Sequence, residues 1–371
     1  MNEFFKGKRV LVTGCCGTIG LELVRQLLEV YQVGEFSGLD NNESELFFLE
    51  QSFAEYPNAR FTLGDVRDRD KLVRCMRKMD IVFHAAAFKH VILCERSPFE
   101  AVQTNIVGLQ NIIYAAYENS LEKVIFTSSD KAVNPTSVMG TSKLMGERLM
   151  TAANSNQRGD GPVFASTRFG NVLGSRGSVV PIFKEQIRRG GPVTLTHPDM
   201  TRFIMSVSEA VKLVIDSHSL AKGGEVFITK MPVLRIKDLA EVMIKILAPH
   251  FGHDPQKIEI KEIGVKPGEK MYEELMSDEE TRRAWELKDY FVVQPAFRSM
   301  YRKIEYDYSD IVSKKVDRPY ISSDEPTMTQ EQIEEFFVKY KLLDLPSEIS
   351  RHPDERYWPP PSGSGARLHP E

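Results

Sequence analysis

Asp130, Lys131 and Lys143 are the residues from which chemistry can be argued first. They fall in one stretch, residues 126–143, that reads F-T-S-S-D-K-A-V-N-P-T-S-V-M-G-T-S-K. An adjacent lysine and carboxyl are a candidate base and acid, provided that their surroundings shift both groups towards neutrality. The lysine then needs a pKa lowered towards neutrality, which burial and nearby positive charge favour. Asp130 as an acid needs the opposite shift, against the pull of its lysine neighbours. Such a pair titrates as one coupled unit. Ser129 stands just before it.

These side chains need a strand behind them and a helix in front. Val124, Ile125 and Phe126 predict a buried parallel strand, and residues 142–150 a helix. The charged groups then collect at a strand's carboxyl end, where open α/β sheets bind ligands. Alone, the stretch could equally be a polar loop with a solvated Asp-Lys pair; the N-terminal sequence decides against that. There a β-branched run, residues 9–13, leads through G-C-C-G-T-I-G into an amphipathic helix over 21–30. Gly14, Gly17 and Gly20 let the backbone turn sharply and approach a pyrophosphate, with Thr18 and Ile19 presenting N–H groups at a helix N-terminus. A second strand, 35–39, ends at Asp40, placed to accept from both ribose hydroxyls of NAD and to repel the extra phosphate of NADP. Its competing role is a cap on the helix that follows. A third strand, 61–63, closes on Asp65 and Val66, which suit an adenine. After a helix over 71–78, a fourth strand, 81–84, runs into Ala85, Ala86 and Ala87, small enough for a backbone to pass close to a flat cofactor. Lys89 and His90 follow on a loop facing the cleft, suited to a sugar hydroxyl or a diphosphate. Asn105 is expected as a buried amide bridging neighbouring loops at the cofactor site.

The chain as a whole sets wide bounds. Its 371 residues suffice for one large α/β domain and a smaller lobe. Hydrophobic content of 42% and charged content of 27% are ordinary for a soluble globular protein. A net charge of −4 leaves no basic footprint for nucleic acid, and no polybasic segment points to an anionic membrane. The four cysteines, Cys15, Cys16, Cys75 and Cys94, match neither a disulfide framework nor a zinc-site spacing, so no metal is expected. No apolar run approaches the roughly 20 residues that span a bilayer, and the first strand begins too early for a signal peptide. A cytoplasmic protein is the expectation.

T-G-C-C-G-T-I-G, A-A-A-F-K-H-V and the D-K-A-V-N-P stretch together resemble the extended short-chain dehydrogenase/reductase superfamily. Within it, the chain is similar to the polysaccharide-biosynthesis 4,6-dehydratases that act on UDP-N-acetylglucosamine. R-F-G-N-V-L-G-S-R-G-S-V-V-P (168–181), M-T-R-F (200–203) and K-P-G-E-K-M-Y-E-E (266–274) extend the likeness over most of the chain. The resemblance implies an α/β fold, a Rossmann-type doubly wound parallel sheet with a smaller interleaved α/β substrate lobe. It implies a tightly bound NAD, a nucleotide-sugar substrate and a homo-oligomer. It also implies a cycle in which hydride leaves carbon 4, the ketone acidifies carbon 5, water leaves carbon 6 and hydride returns there, with or without inversion at carbon 5. By the same resemblance Lys131 is the base at carbon 5, Asp130 protonates the leaving hydroxyl, and Lys143 contacts the nicotinamide ribose. Ser129 stands where threonine is common, and Glu269 and Lys270 grip the nucleotide and sugar.

One position departs from the superfamily. The tyrosine expected four residues before Lys143 is Met139, whose thioether cannot take the proton of the oxidised hydroxyl. One branch of these dehydratases shares that feature. Asp130 becomes the candidate for this proton too, and a catalytically dead member is the alternative.

The remaining chain is expected to build the substrate lobe. A core strand at 164–167 would deliver Arg168 and Asn171 to the cleft, Asn171 for the diphosphate or sugar. Arg202, after a short strand at 193–195, is a candidate phosphate ligand. Helices are expected at 180–189, 208–219 and 236–247, a strand at 225–229, and Glu273 and Glu274 on a helix surface. The domains then divide as 1–170 with 206–230 for the dinucleotide, 171–205 with 231–300 for the substrate, and 301–371 as an extension. Pro359, Pro360 and Pro361 with the following Ser-Gly run read as a flexible end. Two rivals stand beside the dehydratase: a nucleotide-sugar 4-epimerase, in which the Asp130–Lys131 pair has no clear role, and a non-catalytic NAD-binding sensor.

Overall fold

Short apolar runs separated by helices commit the N-terminal half to parallel strands joined by crossovers. The computed structural model describes residues 4–157, 159–175, 177–265, 268–297 and 303–343. Lys266 and Pro267 of the expected ligand loop, and the proline-rich end, lie outside the described residues. Strands β1 (Arg9–Thr13), β2 (Glu35–Asp40), β3 (Ala59–Leu63), β4 (Ile81–His84), β5 (Lys123–Thr127) and β6 (Val163–Arg168) align parallel in the order β3-β2-β1-β4-β5-β6. Their alternate side chains feed two cores. Val10, Val12, Phe83 and Ile125 pack on one face, and Leu11, Val82, Val124 and Phe126 on the other. Burial on both faces is what turns such strands into unbroken apolar runs. The strand order reverses between β1 and β4, which opens a crevice at their carboxyl ends.

The sheet does not stop at β6. Val226–Thr229 adds in parallel, then Tyr290–Val293, Ala284–Leu287 and Ile311–Ser313 add antiparallel, making ten strands. This corrects the expected boundaries. Parts of both 231–300 and 301–371 belong to the main sheet, because the apolar run Tyr290–Val293 covers an edge that would otherwise stay open.

The second lobe has its own core of Val180, Phe183, Ile187, Leu239 and Met243, from helices Val179–Arg188 and Ile236–His250. Helix Gln330–Lys339 of the extension seats Ile333, Phe336 and Phe337 in that core. Strand Thr201–Met205 lies between Val233–Arg235 and Asn171–Val172. Glu273 and Glu274 are not on a helix surface. Glu274–Met276 is a strand paired with Tyr320–Ile321, and both carboxylates are buried. Among the described residues no helix is long and apolar enough to cross a membrane.

Candidate active site

The turn after β5 is held in place before its side chains do anything. Ser128 N donates to Thr167 O at 2.6 Å and Asp130 N to Phe169 O at 3.1 Å, so the end of β6 fixes its path. Asp130–Ala132 then forms a single 3₁₀ turn. One carboxylate oxygen of Asp130, Oδ1, accepts from Ser129 Oγ at 2.6 Å, Lys131 N at 2.9 Å and Lys131 Nζ at 3.0 Å. Asn171 Nδ2 approaches Oδ2 at 3.5 Å. Lys131 Nζ also lies 3.3 Å from Glu273 Oε1, which faces Arg202 Nε at 3.5 Å. Burial works against the Lys131 charge, but Asp130 and Glu273 outweigh it and hold its pKa above the usual lysine range. The lowered pKa that a resting base requires is therefore not what this site shows. Burial pushes the Glu273 carboxyl up, against the pull of Lys131.

Helix Val138–Ser155 starts a turn earlier than expected because Ser137 caps it, accepting from Gly140 N. Gly140 has to be glycine. A Cβ there would stand 2.3 Å from the carbonyl oxygen of Lys131, so the bare backbone lets the helix press on the turn. Lys143 Nζ donates to Thr127 O at 2.8 Å, and burial lowers its pKa to about 8 despite the opposing pull of Glu147. Met139 is buried one turn before Lys143. Arg168, expected in the cleft, lies behind the turn instead. Its guanidinium is 1% exposed and grips Glu147 and Glu280, and Glu147 also accepts from Ser128 Oγ at 2.6 Å. A strand residue whose side chain points into the layer beneath meets acids, not solvent.

One cavity of about 1030 Å³ is lined by Gly14, Gly17, Thr18, Ile19, Gly20, Ala85 and Ala87. Lys89, His90, Ser129, Asp130, Lys131, Met139, Lys143, Asn171, Arg202 and Glu269 line the same space. Gly14 sits at φ +72°, and a Cβ on it would come within 2.7 Å of the Ala86 backbone. Arg202 lines the cavity with its guanidinium already donating to the carbonyls of Thr201 and Lys270, at 2.7 and 2.8 Å. Lys270 donates to Val133 O at 2.9 Å and lines an adjoining cavity of about 550 Å³ together with Lys131 and Glu273.

Five expected cofactor residues, Asp40, Asp65, Val66, Ala86 and Asn105, are not among those lining this cavity. Asp40 accepts from Cys16 N and Asn42 N, both at 3.0 Å, and Asn42 rather than Asp40 caps the next helix. Asp65, expected to accept from an adenine, is gripped by Arg67 and by Asn41, and the Arg67 guanidinium holds its pKa at about 2. Val66 is buried against Gly108. Asn105 is 2% exposed and bridges neighbouring loops as expected, pinning both the N–H and the C=O of Phe88 while donating to Ser142 Oγ. The fold also gathers Cys15, Cys16 and Asp40 with ligand atoms within 4.8 Å of one another. A hydrogen bond with Cys16, and burial, push the Cys15 thiol's pKa up, opposite to what a metal-binding thiolate needs.

Sequence reasoning missed Glu273 and Ser322. Ser322, fully buried, accepts from Glu273 N at 2.9 Å and pairs with Thr201 Oγ1 at 2.8 Å. The available signal for Glu273 was its place in the K-P-G-E-K-M-Y-E-E run; Ser322 had none.

A family model described as "Polysaccharide biosynthesis protein" matches residues 10–295. The chain belongs to this polysaccharide biosynthesis family. An uncharacterized membrane protein of Methanocaldococcus jannaschii is 55% identical over 295 residues, 80% of this chain and 88% of its own. A UDP-N-acetylglucosamine 4,6-dehydratase (inverting) of Campylobacter jejuni is 39% identical, over 79% of this chain and 85% of its own. A UDP-glucose 4-epimerase of Rickettsia canadensis is 37% identical, over 77% and 83%. The solved structure of Pen from Bacillus thuringiensis superposes with a TM-score of 0.83 at 40% identity, covering 91% of this chain and 99% of that one. Polysaccharide biosynthesis relatives of this chain thus carry both dehydratase and epimerase names.

Proposed function

We propose that the chain is a nucleotide-sugar 4,6-dehydratase that uses bound NAD and takes UDP-N-acetylglucosamine to a 4-keto-6-deoxy sugar for surface polysaccharide or glycan synthesis. The observation that carries this reading is Lys131, held between Asp130 at 3.0 Å and Glu273 at 3.3 Å on the wall of the cavity the glycine loop also lines. The loop fits a dinucleotide: Gly14 leaves no room for a Cβ, and Gly17 caps helix Thr18–Arg25 with no side-chain capping hydrogen bond among the described residues. NAD held there would supply the hydride acceptor at carbon 4 and the donor at carbon 6.

The chain's own residues then move protons. With Met139 in the tyrosine position, Ser129 and Asp130 are the groups able to take the proton of the 4-hydroxyl, and the 2.6 Å contact between them makes a relay. Asp130 gives that proton to the 6-hydroxyl, which leaves as water, so its protonation state is restored. Lys131 takes the carbon 5 proton and returns it after hydride reaches carbon 6. Closing the cavity on a neutral sugar removes water from Lys131 and favours its neutral amine. The Campylobacter relative's name supports this substrate; the Rickettsia relative's name favours the second reading, a 4-epimerase.

The test is incubation of the purified chain with UDP-N-acetylglucosamine, read by mass spectrometry and proton NMR. The expected product has lost one water. An unchanged mass with an inverted carbon 4 would establish the epimerase, and tight NAD binding without any turnover would leave the sensor.

A further inference from the structure

Glu273 sits where a carboxylate is hard to explain as a brace. Its side chain is 3% exposed, Oε1 meets Lys131 Nζ and Arg202 Nε, and Oε2 is buried with no hydrogen-bond partner among the described residues. An idle buried oxygen costs stability. The segment is already anchored by its backbone, since Glu273 N donates to Ser322 Oγ and Ser322 N to Glu273 O, both at 2.9 Å. Neither bond uses the carboxylate. What the carboxylate touches is Lys131 and Arg202, both on the cavity wall.

We propose that Glu273 is a positioning residue for Lys131: it fixes the ammonium beside Asp130 and shares its proton, so that the pair sets when the amine is free to act. The reaction that this amine serves rests on the dehydratase reading; the pairing does not. Three charged groups face Lys131 from three elements: Asp130 from its own turn, Glu273 from the segment before strand Glu274–Met276, and Arg202 from strand Thr201–Met205. Asp130 and Glu273 favour the ammonium and Arg202 opposes it. Glu269, Lys270 and His90 line the same adjoining cavity. Passing one proton from Nζ to Oε1 turns an ion pair into a neutral amine and a neutral acid. No bond to carbon changes and no net charge is created. The amine can then take the carbon 5 proton while Glu273 keeps the other, and both return when the cycle closes.

The test is the titration of Lys131 itself. The full chain, Glu273→Gln and Glu273→Asp are pulse-labelled with acetic anhydride across a pH series, and Lys131 acetylation is read by peptide mass spectrometry. The parent midpoint is expected above that of an ordinary lysine, roughly 10.4. In Glu273→Gln it is expected to fall by about one unit or more, as loss of a carboxylate within 4 Å implies, while Glu273→Asp stays nearer the parent. A merely structural carboxylate would leave the midpoint where it was. An unmoved midpoint in the Gln variant overturns the pairing, and so does a parent midpoint at or below the ordinary value, a measurement that needs no variant to fold. Water loss from UDP-N-acetylglucosamine is assayed in parallel. Its absence in the parent sinks the dehydratase reading and leaves the titration to judge the pairing alone.

Discussion

Lys131 and Asp130 share one carboxylate oxygen at 3.0 Å, yet the proposed cycle gives them different protons, and that difference is measurable. Lys131→Ala removes the carbon 5 base, so water loss should fall by about 10²–10⁴-fold. Oxidation at carbon 4 should survive, seen as accumulation of the reduced cofactor's absorbance on adding substrate. Asp130→Asn removes the acceptor for the 4-hydroxyl proton as well as the acid at carbon 6, so it should lose that absorbance change too. Equal loss of both signals in the two variants would show that the protons are not divided in this way. Substitution here is not free of structural cost, since removing the ammonium leaves two buried carboxylates facing each other across the gap. Retained NAD content is therefore the control for an intact fold.

At the scale of the elements, the turn works because a helix can press against it. Gly140 is the place to test this. In an ordinary helix interior, Gly→Ala stabilises by about 0.5–1 kcal/mol. Here the new Cβ would stand 2.3 Å from Lys131 O and 3.1 Å from Pro135 Cβ, and overpacking of that kind costs about 1–3 kcal/mol. Gly140→Ala should accordingly lower the thermal midpoint and the turnover together, while Gly159→Ala, where a Cβ meets nothing within 4 Å among the described residues, should leave both near the parent. A raised midpoint in Gly140→Ala would mean the helix can slide without loss. The same elements show what a sequence can disclose. β1, β4 and β5 were legible because strands buried on both faces are continuous apolar runs, and the glycine loop because its spacing is local. The added strands at 284–287, 290–293 and 311–313 were not, since three or four residues carry no periodicity. Glu273 and Glu274 read as helix surface because partners that bury them are distant along the chain, Lys131 and Arg202 for Glu273 and Asn134 for Glu274. Arg168 was misplaced for a related reason: only packing decides which face of β6 meets Glu147.

For the whole molecule, Arg168 is the joint. It ties β6 to helix Val138–Ser155 through Glu147, and to residues 275–280 through Leu275 O and Glu280, so the sheet, the helix that presses on the turn after β5 and the end of strand Glu274–Met276 meet at one buried guanidinium. Burial opposes the charge on Glu280, yet Arg168 wins and holds that carboxyl at about 2, against 4.5 when unperturbed. The folded state therefore binds this proton more weakly than the unfolded chain does. Its contribution is complete above pH 4.5 and is lost as pH falls from 4.5 towards 2. At about 1.4 kcal/mol for each unit the loss is roughly 3 kcal/mol. Urea unfolding of the parent should weaken steeply across that window. Glu280→Gln should start lower at neutral pH, because breaking a buried ion pair costs about 3–5 kcal/mol. Between pH 4.5 and 2 it should then decline less than the parent, having no such proton to take up. If the Gln variant kept the parent's slope there, the acid sensitivity would belong to other carboxylates, and Arg168 would hold these elements together without coupling their stability to pH.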